Sequence, residues 1–456
     1  MIVSHNFLLV SWGSSGNLNP LLTAGRQLRQ RGHRVRVMAD PAMRDEVAAA
    51  KFDFATWRRA PTGQAADPTD FHDIGDWFRR AVSDPAADYA ADVRDEIGNA
   101  STDAVLTIDM LFGAVLGAEA AGVPLAMLSP HVSLRPLAGV PPVSSGLAAP
   151  KTPQERAETA AANEQMTEFF NGFLPGLNGA CARLGVPALS HAMDLFDRPA
   201  RVLLAISRAF DFQADWLPTN LRYIGPLLDQ PSWSEPWRAP WSMNRPRVLI
   251  AGSTGAQGQG ALIQKIIHAM GQLEIEAVAT SGPNLDVNTL QAPGNVHLLR
   301  SAPHNTVMQE VSLVISQGGH GTVNRALVNG VPLLILPLGR DQGDNAARVE
   351  SKGAGLQLPP TASDTEIASA AARLIFEPDF RLAARRLGEA IRADIDRAGV
   401  VQEMEAIVAV HRRDRARPDP ALRANSVRRG TRQQLAVLRG RRAPTSSQGI
   451  AVTPRR

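Results

Sequence analysis

The densest group of chemistry-bearing residues in this chain is Ser316-Gln317-Gly318-Gly319-His320-Gly321-Thr322. It follows the apolar run Leu313–Ile315, and a helical pattern opens at Thr322 and runs through Val328. A strand, a glycine-rich turn and a helix N-terminus make an anion site. Glycines let a phosphate approach the backbone, free N–H groups point at it, and the helix dipole favours its charge. Gln317 and His320 add side-chain donors. Without a ligand, the same turn is only a tight strand-to-helix connection.

The next segment carries different chemistry. Val331–Pro337 reads as a buried strand, and Gly339-Arg340-Asp341-Gln342-Gly343-Asp344-Asn345 stands at its C-terminal end. Ligands of open α/β sheets lie outside the carboxyl ends of the strands. Asp341 and Gln342 suit sugar hydroxyls; the bland reading is a solvated loop capping a helix over Asn345–Lys352. A third loop, Gly252–Gly260, follows the run Val248–Ala251 and is built to cradle a diphosphate. A phosphate site and a polyol site at adjacent strand ends fit a nucleotide-sugar better than either alone. No glycines have the GxGxxG spacing and no GxxxxGK[ST] occurs, which weighs against a dehydrogenase and a P-loop ATPase.

These loops need strands to carry them. Short apolar runs recur at Phe7–Val10, Val35–Met38, Ala104–Ile108, Leu125–Leu128 and Val202–Ile206. A second series lies at Val248–Ala251, Ala277–Ala279, Val296–Leu298, Leu313–Ile315 and Leu333–Leu336. Helical spacing between them predicts an α/β fold of two doubly wound parallel sheets. After the first strand comes Gly13–Pro20, where Asn19 suits an N-cap and Pro20 the first helical position. Gly32 suits the stop of that helix. Prolines and tryptophans crowd Pro231–Pro246 without a period, as expected of an interdomain linker.

Composition bounds the rest. The 456 residues carry a formal charge of +4. From Arg412 to Arg456 there are thirteen arginines and two aspartates, a charge of +11, so the first 411 residues stand at −7. The overall basicity therefore says little about the ligands of the body. The tail, poor in apolar residues, is expected to be disordered, and its arginines suit a peripheral contact with an anionic membrane. It has no aromatic residue for base stacking, so no nucleic acid is expected. The single cysteine, Cys181, excludes a disulfide framework and a cysteine-rich metal site, and reads as a small buried hydrophobe. No apolar run approaches about 18 residues, and the start of the chain lacks the basic opening of a signal peptide. Both fit a cytoplasmic protein.

Together, Gln317–Thr322, Gly330-Val331-Pro332 and Gly339–Asn345 resemble the donor-site signature of the GT-B, family 1 glycosyltransferases. The bacterial branch acting on natural products, sterols and carotenoids is nearest. Gly13–Pro20 with Arg31-Gly32-His33 resembles that family's opening segment, and Tyr223–Pro226 its entry to the linker. The resemblance implies two Rossmann-like domains facing across a cleft: an acceptor domain over 1–217, a linker over 218–246, and a nucleotide-sugar domain over 247–411. The last helix would pack back on the N-terminal domain, and the tail over 412–456 would lie outside. It implies transfer of a sugar from UDP or dTDP to a lipophilic small molecule with inversion, no bound metal and no permanent cofactor. Ser253, Thr254, Gly319, His320, Gly321 and Thr322 would meet the diphosphate. Pro303 and His304 would lie against the base, and Asp341, Gln342 and Asn345 would serve the sugar side. Asp109, after Ala104–Ile108, matches the acid that orients the catalytic base.

Two residues depart from this pattern. The family's base position is Asn17, an amide with no useful basicity. Gln317 stands where the family has a histidine, so it donates to phosphate without charge. Three routes stay open. An already ionised acceptor needs no base. His131, His72 or Asp109 can replace the base. Or the chain is a silent homologue that activates another enzyme. A nucleotide-sugar epimerase is a further alternative. His131 equally reads as a loop histidine with a backbone partner, and His33 as structural. Trp57, Phe71, Trp77 and Phe78 suit either an aromatic acceptor pocket or the core.

Overall fold

A computed structural model describes residues 3–416 except 14, 64–70, 229–236, 243, 253–257, 283 and 398; for 15, 71–73 and 416 it describes the backbone alone. Ser253, Thr254, the side chains of Phe71 and His72, and the tail beyond 416 lie outside the described residues.

The apolar runs fold as strands because their side chains are buried on both faces, the mark of parallel sheets covered by helices. In chain order these are β1 (Asn6–Val10), β2 (Arg34–Ala39), β3 (Asp53–Thr56), β4 (Ala104–Ile108), β5 (Leu125–Ser129), β6 (Arg201–Leu204) and β7 (Leu221–Tyr223). They form one parallel sheet in the order β3-β2-β1-β4-β5-β6-β7. The second parallel sheet takes β8 (Arg247–Ala251), β9 (Glu276–Thr280), β10 (Val296–Leu299), β11 (Leu313–Ser316), β12 (Leu333–Ile335) and β13 (Gly355–Gln357), ordered β10-β9-β8-β11-β12-β13. Strand order reverses between β1 and β4 and again between β8 and β11. Each reversal opens a crevice at the carboxyl ends, where such sheets bind ligands. Both sheets belong to one compact unit, residues 1–408.

Three helix starts lie earlier than the sequence suggests. The first helix is Ser15–Gln30, so Asn17 and Asn19 are helical and Pro20 sits inside rather than at the first position. Leu18, Leu21 and Leu22 explain this: all three are buried, and their spacing extends the apolar stripe back one turn. The helix after β11 begins at His320, not Thr322. The helix after β12 begins at Gln342, not Asn345. Gly318 sets the second of these starts. Its φ is +97°, and a Cβ there would lie 2.6 Å from Ile335 Cγ2, so only glycine turns the chain this sharply without strain.

The halves are stitched together through the helix Gln342–Ser351. The Asp344 carboxylate accepts from the backbone N–H of Ser144 (2.6 Å) and Gly146 (2.8 Å). Arg348 Nε donates to Asp211 Oδ1 at 2.8 Å, with both side chains almost wholly buried. Tyr223 Oη donates to the other Asp211 oxygen at 2.9 Å, and the guanidinium lies 4.3 Å from the Phe212 ring centroid. Late in the chain, Val400, Met404, Ile407 and Val408 join the core of the first sheet. Among the described residues no helix is long and apolar enough to cross a membrane.

Arg348→Met removes one partner of a buried pair and strands Asp211. Unfolding in denaturant is expected to show a loss of about 3–5 kcal/mol. A loss under about 1 kcal/mol would show that the pair does not hold the halves together.

Candidate active site

The site is built at the two crevices. On the first sheet, Val10 of β1 pairs with Thr107 of β4. Two residues past that pair stand Trp12 and Asp109. Asp109 has no exposure to water. Ser129, the last residue of β5, donates through Oγ to Asp109 Oδ2 at 2.8 Å. His131, two residues further on, brings Nε2 to 3.3 Å from Asp109 Oδ1. The approach is ionic rather than a well-aligned hydrogen bond, since Oδ1 has no hydrogen-bond donor. Nδ1 of His131 donates to the Val132 carbonyl at 2.7 Å, so Nε2 is the nitrogen left for proton exchange. Met110, directly after the acid, is held at φ 64°. Such strain in a non-glycine residue persists only where its surroundings enforce it.

The electrostatics follow from this packing. Burial is the largest influence on His131 and disfavours its cation, but the Asp109 carboxylate, then Asp341, then the Val132 carbonyl outweigh it and raise its pKa to about 10. Asp341 belongs to the other half of the chain. The two sides also touch directly, through His320 Nε2 and the Ala205 carbonyl after β6, 3.1 Å apart.

On the second sheet the glycine turn and the loop after β12 form one network. Asn345 Nδ2 donates to the Gly318 carbonyl and to Asp341 Oδ2, both at 3.0 Å. Its oxygen therefore faces His320 Nδ1 at 3.2 Å, while His320 Nε2 reaches the Ala205 carbonyl at 3.1 Å. Burial is the main influence on His320 and lowers its pKa, and His131 nearby lowers it further against the pull of Asp341. Gly319, Gly321 and Thr322 lie on the cap and first turn of this helix, with N–H groups that lack helical partners. Pro303 caps the short helix His304–Val307. His304 Nε2 lies 3.1 Å from Thr280 Oγ1, and burial, then Arg325, push its pKa down to about 4.

Several expected residues are placed differently. Asn345 is fully buried and both ends of its amide are committed, so it reaches a ligand only by positioning His320 and Asp341. Gln342 is buried and its Oε1 accepts from Leu338 N at 2.7 Å, which closes the loop in front of it. Gln317 is buried beside the turn. Asn17 stands half-buried in the first helix, and the side-chain contacts of Asp109 are made by Ser129 and His131 instead. Trp57 and Phe78 are core, and Trp77 is half-buried. His33 is structural: it accepts from His5 N and meets Glu405. Cys181 is buried.

The sequence pattern does not single out Arg325, yet it belongs to this site. It lies one helical turn after Gly321, and its Nη1 is 2.9 Å from where a Gly321 Cβ would be. Side chains lean toward the helix N-terminus, so the guanidinium is carried back over the glycine turn. The spacing of four residues is the signal that could have found it.

Known proteins are similar to this chain in sequence and in fold. Residues 264–407 match the family model "Erythromycin biosynthesis protein CIII-like, C-terminal domain". The 4'-demethylrebeccamycin synthase of Lentzea aerocolonigenes is 26% identical over 88% of this chain and 98% of its own length. A PGL/p-HBAD biosynthesis glycosyltransferase of Mycobacterium tuberculosis is 33% identical over 42% of this chain and 44% of its own. Among solved structures, the glycotransferase of kitacinnamycin superposes with a TM-score of 0.72 at 22% identity, covering 89% of this chain and 99% of that one. The spinosyn rhamnosyltransferase SpnG, solved with thymidine diphosphate, gives 0.60 at 20% identity over 85% and 96%. These likenesses support a family 1 GT-B glycosyltransferase of natural-product type, and the solved structures show the same two-sheet fold.

Proposed function

We infer that the protein moves a sugar from a nucleoside diphosphate to a small-molecule hydroxyl, with inversion at the anomeric carbon. The observation that carries this is the meeting of two strand-end clusters, Asp109–His131 from the first sheet and Asp341–Asn345–His320 from the second. In this reading the N-terminal half holds the acceptor and the C-terminal half the donor. UDP and dTDP are the donors considered, and the SpnG complex with thymidine diphosphate supports the second.

The acceptor oxygen attacks the anomeric carbon as the bond to the diphosphate oxygen breaks. The hydroxyl proton passes to the His131–Asp109 pair, whose Nε2 and Oδ1 stand 3.3 Å apart, and Asp109 stabilises the histidine cation. The leaving diphosphate takes up negative charge against the N–H groups of Gly319, Gly321 and Thr322 and the positive end of their helix. Arg325 adds the charge that Gln317 lacks. Asp341 faces the sugar hydroxyls. The silent-homologue alternative rests on Asn17 and Gln317; in this reading His131 and Arg325 supply the two functions that those residues lack.

Four outcomes test this. UDP or dTDP should bind in calorimetry, with affinity nearly unchanged when residues 412–456 are removed; no binding of either at millimolar nucleotide ends the reading. Arg325→Gln should weaken that binding by roughly 10- to 100-fold, the loss of one charged hydrogen bond, and flatten its salt dependence; equal affinity at low salt would remove Arg325 from the site. His131→Gln keeps a donor for Asp109 but no base, and should cost roughly 10²–10⁴ in kcat. Asn17→His should leave turnover on an alcohol unchanged. A clear gain would show that the base is missing instead.

A further inference from the structure

The carboxyl end of β1 carries polar groups that the mechanism above does not use. Ser11 and Trp12 are the two residues after β1, both at least nine-tenths buried, and neither Ser11 Oγ nor Trp12 Nε1 has a hydrogen-bond partner. Trp77 Nε1 is a third unpartnered buried donor. The two indoles are stacked, with centroids 5.8 Å apart and planes 16° from parallel. Tyr89 lies 6.1 Å from Trp12 and meets Trp57 edge-on at 4.9 Å, so the stack is backed by packed rings. A buried N–H without a partner is costly, and three such donors in one place are rarer than one. Indole offers a donor and no acceptor.

We propose that Trp12 and Trp77 seat a planar aromatic acceptor that presents ring carbonyl or ether oxygens to their N–H groups. Trp77 is half-buried, so the stack is not sealed from the surface. The place is right for transfer. Trp12 stands two residues past Val10, and Asp109 two residues past Thr107, the strand partner of Val10. Neighbouring strands run about 4.8 Å apart, so a ring held on Trp12 carries its hydroxyl beside Asp109 and His131. Donor-only walls select against ligands whose polar groups only donate, and stacking selects against saturated rings. This proposal rests on the glycosyltransferase reading and names the acceptor class for it.

Calorimetry on the full-length protein with three probes tests it: 2-hydroxyanthraquinone, 1-naphthol and 2-decalol. The anthraquinone should bind tightest and the saturated decalol at least about tenfold weaker. Trp12→Phe and Trp77→Phe keep a ring but remove the N–H. Each should weaken the anthraquinone by about 3- to 10-fold and leave naphthol nearly unchanged. Decalol binding as tightly as the anthraquinone, or an unchanged anthraquinone affinity in both variants, overturns the proposal. UDP and dTDP titrated in parallel separate the two readings. Nucleotide binding without the anthraquinone preference removes only the aromatic seat. The anthraquinone preference without nucleotide binding supports the seat and removes the glycosyltransferase reading.

Discussion

The candidate site is organised around a carboxylate sealed from water at the end of β4. Burying an ion costs several kcal/mol unless it is paired and hydrogen-bonded, and Asp109 is wholly buried. Ser129 supplies one hydrogen bond and His131 the opposing charge. The chain after β5 must therefore turn back over β4, and the chain after β4 must turn away at once, which Met110 does at positive φ. The same charge that must be compensated is what holds His131 protonated at neutral pH.

The second sheet solves the opposite problem, since it must attract an anion to a body whose net charge is −7. A general basic surface is not the means. In the proposed reading, oriented N–H groups at the start of the helix His320–Val328 and one guanidinium act at short range, where screening is weak. Asn345 fixes the geometry by tying Gly318, Asp341 and His320 to one amide. Its role is positional, and so is that of Asp344, which fastens the loop Ser144–Gly146 from the other half. The donor loop and the seam between the halves are thus one structure.

The strand series was legible because buried parallel strands are continuous apolar runs. The strands that it missed, β3, β7 and β13, are all sheet edges. None of them is buried throughout, and Asp53–Thr56 is partly polar, so no run forms. Helix starts were displaced because cap residues were read before the apolar stripe, and Leu18 rather than Asn19 fixes the first one. The glycine turn was legible from its composition. The pairing of His131 with Asp109 was not, since it joins residues 22 apart across two strand ends. His131 was visible only as a histidine near a strand end, and nothing local distinguishes it from a loop residue. Trp12 carried no signal at all, because an indole after a strand reads as core until its N–H is found without a partner.

The proposed chemistry stands on one transfer: His131, set on Asp109, takes the acceptor proton in place of Asn17. The pH dependence of kcat/KM on an alcohol acceptor reads that transfer. The base works only when neutral, and its pKa is raised to about 10. Activity should therefore climb by about tenfold per pH unit from neutrality and level off near that value, and the slope should vanish in His131→Gln. A profile flat from about pH 6 to 9 in the unaltered protein would contradict this assignment and move the base to Asp109 or to an ionised acceptor.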